Sequence, residues 1–241
     1  MLLKATLAAA AAGLGGFVLL KLASPTPLED EESSATCHLP LQEWESSRMM
    51  LEQPAITTLT FFEGDPSSGA LFLRQRVADI IRANPWLAGR LSRPRHSKRV
   101  LLSFDPNPVD PGANVFQVAS PHPSMTRDAP QSGFARHAYA QGLIIGKGIE
   151  AVNKRKPNFA VTLIPDAKAP SSRFAVIVSM GHTLGDGHTY YSVLKMLTKG
   201  GEVARLNAER REDMHRHVLD VLGGPNLVTR PRSCCTWCLL A

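Results

Sequence analysis

The residues best suited to chemistry stand in the run Gly181-His182-Thr-Leu-Gly185-Asp186-Gly187-His188. An imidazole titrates near neutrality, so His182 can take a proton from an attacking hydroxyl or amine and return it to a leaving group. Asp186, four residues on, either orients that base or anchors the loop through an arginine. Gly185 and Gly187 permit a tight turn or a close backbone approach that a side chain would obstruct. Two rival readings stay open at this point. In one, His182, Asp186 and His188 hold a metal, although the spacing fits no zinc pattern and no cysteine stands near; in the other, His182 is structural. No G-x-S-x-G elbow, P-loop or G-x-G-x-x-G occurs, so serine hydrolysis, nucleotide hydrolysis and dinucleotide chemistry lose their usual support.

The elements around this run decide whether it can work. Phe159–Ile164 and Phe174–Ser179 are near-continuous apolar segments of strand length, as expected of strands covered on both faces, and the second runs straight into the loop. Tyr190–Leu197 follows at helical spacing until Gly200-Gly201 stops it. Upstream, Ala55–Phe62 is β-branched and aromatic and reads as a strand closed by Gly64-Asp-Pro-Ser. Leu71, Leu73, Val77, Ile80 and Ile81 recur at helical spacing as far as Arg82, until Asn84-Pro85 ends the helix. Val100–Phe104 and Asn114–Val118 are short strand candidates, and a second helix is expected over 135–153, weakened by Gly142, Gly146 and Gly148. The order of strands and helices predicts an α/β (α+β) sandwich, with a mixed sheet covered by helices.

With these elements in place, Val176-Ile-Val-Ser-Met-Gly-His182-Thr-Leu-Gly-Asp186-Gly187 resembles the His-x-x-x-Asp-Gly signature of the superfamily of chloramphenicol acetyltransferase, BAHD acyltransferases, condensation domains and wax-ester synthases. Val77–Leu91, with Asn84-Pro-Trp-Leu-Ala-Gly-Arg90-Leu, is similar to an upstream segment of BAHD-like members. The resemblance implies a chloramphenicol-acetyltransferase-like half-fold over roughly Cys37–Gly201. It also implies a coenzyme-A-dependent O-acyltransferase, in which His182 is the general base for transfer from a coenzyme A or carrier thioester to a hydroxyl or amine. Acyl-CoA is then a cosubstrate, and no cofactor is held permanently. Asp186 would pair with an arginine to fix the loop, with Arg90 the first candidate and Arg74, Arg82 and Arg173 behind it. Some members carry a second histidine where Gly181 stands. Large members have two related halves with the donor tunnel between them and an Asp-Phe-Gly-Trp-Gly segment in the second; that segment does not occur here. The resemblance therefore implies either a homo-oligomer that completes each site across a subunit interface, or a truncated, catalytically incomplete pseudoenzyme or binding protein that keeps the half-fold.

Composition bounds the rest. The 241 residues are 44% hydrophobic and 20% charged, enough for one globular domain, expected over 37–225. The formal charge of +6 suits anionic phosphate groups, including those of a coenzyme, but Lys and Arg are interleaved with acids and no nucleic-acid-binding motif accompanies them. Residues 5–20 carry no charge between Lys4 and Lys21, so 1–28 reads as a membrane anchor or a secretory or organellar signal, with 29–36 as a linker. The tail, 226–241, holds Cys234, Cys235 and Cys238, and its end fits a lipidation pattern.

Overall fold

Residues 36–210 and 212–221 are described by the computed structural model, and all fall within one compact unit, 33–241. In chain order the elements are β1 (Cys37–Pro40), α1 (Arg48–Leu51), β2 (Ile56–Glu63), α2 (Pro66–Ala83), a 3-10 turn (Pro85–Ala88), β3 (Arg90–Ser92), β4 (Leu101–Phe104) and β5 (Phe116–Val118). They continue with α3 (Gln131–Ala140), α4 (Gly148–Ala151), β6 (Phe159–Pro165), β7 (Arg173–Met180), α5 (Gly187–Met196) and α6 (Glu212–Val221).

The two apolar segments become β6 and β7, the centre of a four-stranded mixed sheet ordered β2-β7-β6-β5. Both β2 and β6 run antiparallel to β7, whereas β5 runs parallel to β6. Because side chains alternate along a strand, each of these strands feeds two cores. On one face Phe159, Val161, Leu163, Val176 and Val178 pack with Val77, Ile80 and Ile81 of α2 and Tyr190 and Val193 of α5. On the other, Ile164 and Ile177 pack with Met125, Leu143 and Ala138 of α3. Each large apolar side chain buried in this way stabilises the fold by about 1.5–3 kcal/mol before entropy is counted. A smaller antiparallel sheet, β1-β4-β3, carries the chain from the 3-10 turn. The whole is the expected α/β sandwich with a mixed sheet.

Several boundaries differ from expectation for identifiable reasons. α2 starts at Pro66 because the Asp65 carboxylate accepts the N–H groups of Ser67 and Ser68 (3.1 and 2.9 Å), which caps the helix a full turn before its apolar stripe. α5 starts at Gly187, three residues early, because Asp186 caps it in the same way. The helix expected over 135–153 is two helices, α3 and α4, with irregular chain between them. Gly142 takes φ 63° just past α3, and the Leu143 N–H turns back onto the Ala138 carbonyl at 2.8 Å, which ends the helix. β1 and β3 are too short to leave a periodic signal. Among the described residues no helix is long and apolar enough to cross a membrane. The expected anchor, nearly all of the linker and the tail lie outside the described residues.

Candidate active site

His182 stands two residues beyond the C-terminal end of β7, a central strand, so neighbours on both sides fix the backbone that leads to it. The Gly181 N–H donates to the carbonyl of Asn158 (2.8 Å), just before β6, and the Leu184 N–H donates to the Gly181 carbonyl (2.9 Å), closing a turn around the histidine. A β-carbon at Gly185 would come within 2.7 Å of the Thr189 methyl and 2.9 Å of its Cβ, so the turn needs glycine there. At Gly187 the added carbon would stand in open space, so the tight turn expected of both glycines belongs to Gly185. Below the loop, the buried Tyr190 hydroxyl donates to the Val178 carbonyl (2.9 Å) and lies 2.8 Å from the Thr58 hydroxyl, which locks α5 to β7 and β2.

His182 itself is half-buried. Burial pushes its imidazole below the ordinary 6.5, and the opposing pull of the Asp186 charge does not overcome this. The ring is therefore mostly neutral at pH 7, with a lone pair available on one of its nitrogens. Asp186 is also held below its usual range: burial works against ionisation, but the N–H and hydroxyl of Thr189 and the charge of His188 outweigh it. The Thr189 N–H to Asp186 distance is 2.8 Å.

The expected arginine partner of Asp186 is not found among the described residues. Arg90 lies exposed on β3, Arg74 stacks over the Phe116 ring at 5.6 Å, Arg82 pairs with Asp79 at 2.6 Å and Arg173 pairs with Asp166 at 2.8 Å. Asp186 anchors the loop as a helix cap instead, its carboxylate accepting the Thr189 N–H. The arginine that does hold the loop is Arg210. Its Nη2 donates to the Leu184 carbonyl (2.9 Å), while its Nε pairs with Glu45 (3.2 Å). Nothing in the sequence marks Arg210, which sits in a mixed charged stretch 26 residues downstream of that carbonyl.

Asn158 is the second residue that sequence reasoning missed. Its backbone carbonyl receives Gly181, and its side-chain amide donates to the Gly89 carbonyl at 3.1 Å. The upstream Asn84–Leu91 segment thus meets the His182 loop through Asn158 rather than through Arg90. Asn158 Oδ1 and Thr183 Oγ1, beneath the loop, are both buried without a hydrogen-bond partner. An open groove of about 1010 Å3 passes between Trp86, Phe104 and the 205–210 segment. It reaches Arg210, but His182 is not on its wall.

No protein-family model and no curated protein sequence matches the chain. Among solved structures it is similar to Fusarium graminearum TRI101 in complex with coenzyme A and T-2 mycotoxin (14% identity, TM-score 0.47, 71% of this chain and 40% of that one). It is also similar to the TRI3 trichothecene 15-O-acetyltransferase from Fusarium sporotrichioides (10% identity, TM-score 0.49, 68% and 34%). A condensation domain for chain release from the enacyloxin polyketide synthase is a third (13% identity, TM-score 0.43, 66% and 28%). The chain spans about two fifths or less of the length of each of these three proteins.

Proposed function

We propose that this chain is an acyltransferase that moves an acyl group from a coenzyme A or carrier thioester to a hydroxyl or amine, with His182 as the general base. The observation that carries the reading is His182 itself: a mostly neutral, half-buried imidazole that makes no hydrogen bond among the described residues, held at the end of a central strand by a turn that other residues fix. A base must offer its lone pair to substrate, and a structural histidine in such a position would ordinarily be satisfied by the protein. In the proposed reaction His182 takes the acceptor proton as the acceptor oxygen or nitrogen attacks the thioester carbonyl. The tetrahedral intermediate then collapses, the carbon–sulfur bond breaks and the proton passes to the departing thiolate. Asp186, Gly185, Arg210 and Asn158 position the loop and do not touch reacting atoms.

The test is incubation of the full chain with acyl-CoA and a panel of alcohols and amines, followed by free-thiol release. Wild type should release thiol only when acceptor is present, and His182→Ala should be slower by about 10²–10⁴-fold. Specific binding of acyl-CoA without release from any pair would favour the incomplete enzyme or binding protein instead.

A further inference from the structure

Lys and Arg look interleaved with acids along the sequence, but folding gathers them. The segment 93–99 contains Arg93, Arg95, Lys98 and Arg99 and no acid, and 154–156 is Lys-Arg-Lys. The two are stitched together: the Arg93 N–H donates to Asn153 Oδ1 (2.7 Å) and the Asn153 N–H donates to the Leu91 carbonyl (2.8 Å). Among the described residues the only non-glycine positions with positive φ are His96 (68°) and Asn153 (58°), one in each loop, so both turns hold a conformation that L-residues seldom adopt. Together the two loops hold seven of the chain's 27 Lys and Arg and no Asp or Glu.

Beside them lies exposed apolar surface. The Arg93 guanidinium donates to the Ser46 carbonyl (3.0 Å), tying the patch to the segment that exposes Trp44 (47%) and Met49 (56%). α4, which packs on both α1 and β3, exposes Ile149 (40%). Of the acids nearby, Glu45, Glu52 and Glu150 are paired with Arg210, Arg48 and Lys156, and Glu43 is exposed.

We infer that this face docks on an anionic phospholipid surface, with the two basic loops over the headgroups and Trp44, Met49 and Ile149 at the interface. Long cationic side chains around an exposed Trp and aliphatic groups match a charged headgroup layer over an apolar interior. The side chains exposed beside the loops include the non-aromatic Met49 and Ile149, which suit an acyl interior rather than a stacked base, and this sets lipid ahead of nucleic acid. The uncharged run 5–20, if it is the anchor among the readings given above, would hold the chain at a bilayer as well. The inference does not depend on the chemistry proposed for His182.

Flotation of the full chain with vesicles tests it, comparing phosphatidylcholine alone with phosphatidylcholine containing about 30 mol% phosphatidylserine, at about 0.1 M salt. Wild type should prefer the anionic vesicles by at least about tenfold, and the preference should fade at about 0.5 M salt. Arg95, Lys98, Lys154 and Arg155 are exposed and outside every hydrogen bond and ion pair described above. Changing all four to Glu should abolish the preference while melting temperature stays that of wild type, and a set changed to Gln should fall between. Binding through any other segment adds equally to both vesicles, so the patch's share is read as the difference between wild type and the Glu variant on anionic vesicles. Equal binding to the two vesicles, an unchanged preference in the Glu variant, or patch-dependent binding of an RNA oligonucleotide in place of vesicles would overturn the inference.

Discussion

Protonation of His182 links chemistry to stability. The folded chain binds this proton less readily than the unfolded chain does, because burial lowers the folded pKa. Between the two pKa values the unfolded state holds more protons, so stability rises with pH there; above about 6.5 both states are neutral and the effect is gone. His182→Ala should therefore remove part of the stability loss seen on going below about pH 6.5, measured as denaturant midpoints across that range. Asp186 behaves as a helix cap. Asp186→Ala should cost about 1 kcal/mol by urea unfolding, and Asp186→Asn much less, because Asn caps nearly as well. A loss of about 3–5 kcal/mol in the Asn variant would instead indicate a broken buried ion pair.

At the scale of elements, the segment 199–210 behaves as a strap stitched across α2. Asn84, fully buried, donates from its amide to Ile80 and Ala204 carbonyls (3.2 and 2.9 Å) and accepts the Leu206 N–H (2.7 Å). Arg76 adds a bond to the Gly201 carbonyl at 3.1 Å. The strap ends in Arg210, so its docking and the His182 turn are mechanically joined. Asn84→Ala should cost about 2–4 kcal/mol in urea unfolding, since it strands two strap groups without partners. Arg210→Ala should raise amide exchange at Leu184 and Thr189 while leaving β6 protected. Such cross-chain stitching explains what the sequence could and could not disclose. α2 and α5 were legible because burial of one face imposes a helical period, β6 and β7 because burial of both faces leaves an unbroken apolar run, and β2 because β-branched and aromatic residues end in a turn signal; the place of the His182 loop was legible because a buried strand runs straight into it. Arg210 and Asn158 act through hydrogen bonds to backbone carbonyls, which any residue type presents, so no spacing records them. The proposed Asp186–Arg90 pair failed for the same reason: the acid found its partners in the backbone three residues away.

Across the whole molecule, the sheet is locked at one end and offers the candidate site at the other. At the β6–β7 hairpin the buried Asp166 accepts the Lys168 N–H (2.8 Å), the Arg127 N–H (3.1 Å) and Arg173 Nε (2.8 Å). Burial alone would raise its pKa, but these donors hold it below the usual carboxylate value. Its stabilising contribution is thus present above about pH 3.8 and lost as pH falls through the folded pKa. Asp166→Ala should be less stable at neutral pH and show a shallower further loss on acidification, followed by circular dichroism. A sheet so pinned can hold the His182 loop steady, as a general base in the proposed transfer requires. The rate of acceptor-dependent thiol release, followed across pH, should be flat near neutrality and fall with a single ionisation below 6.5, the direction in which burial moves the His182 imidazole. A residual rate in His182→Ala with that same ionisation intact would contradict the account.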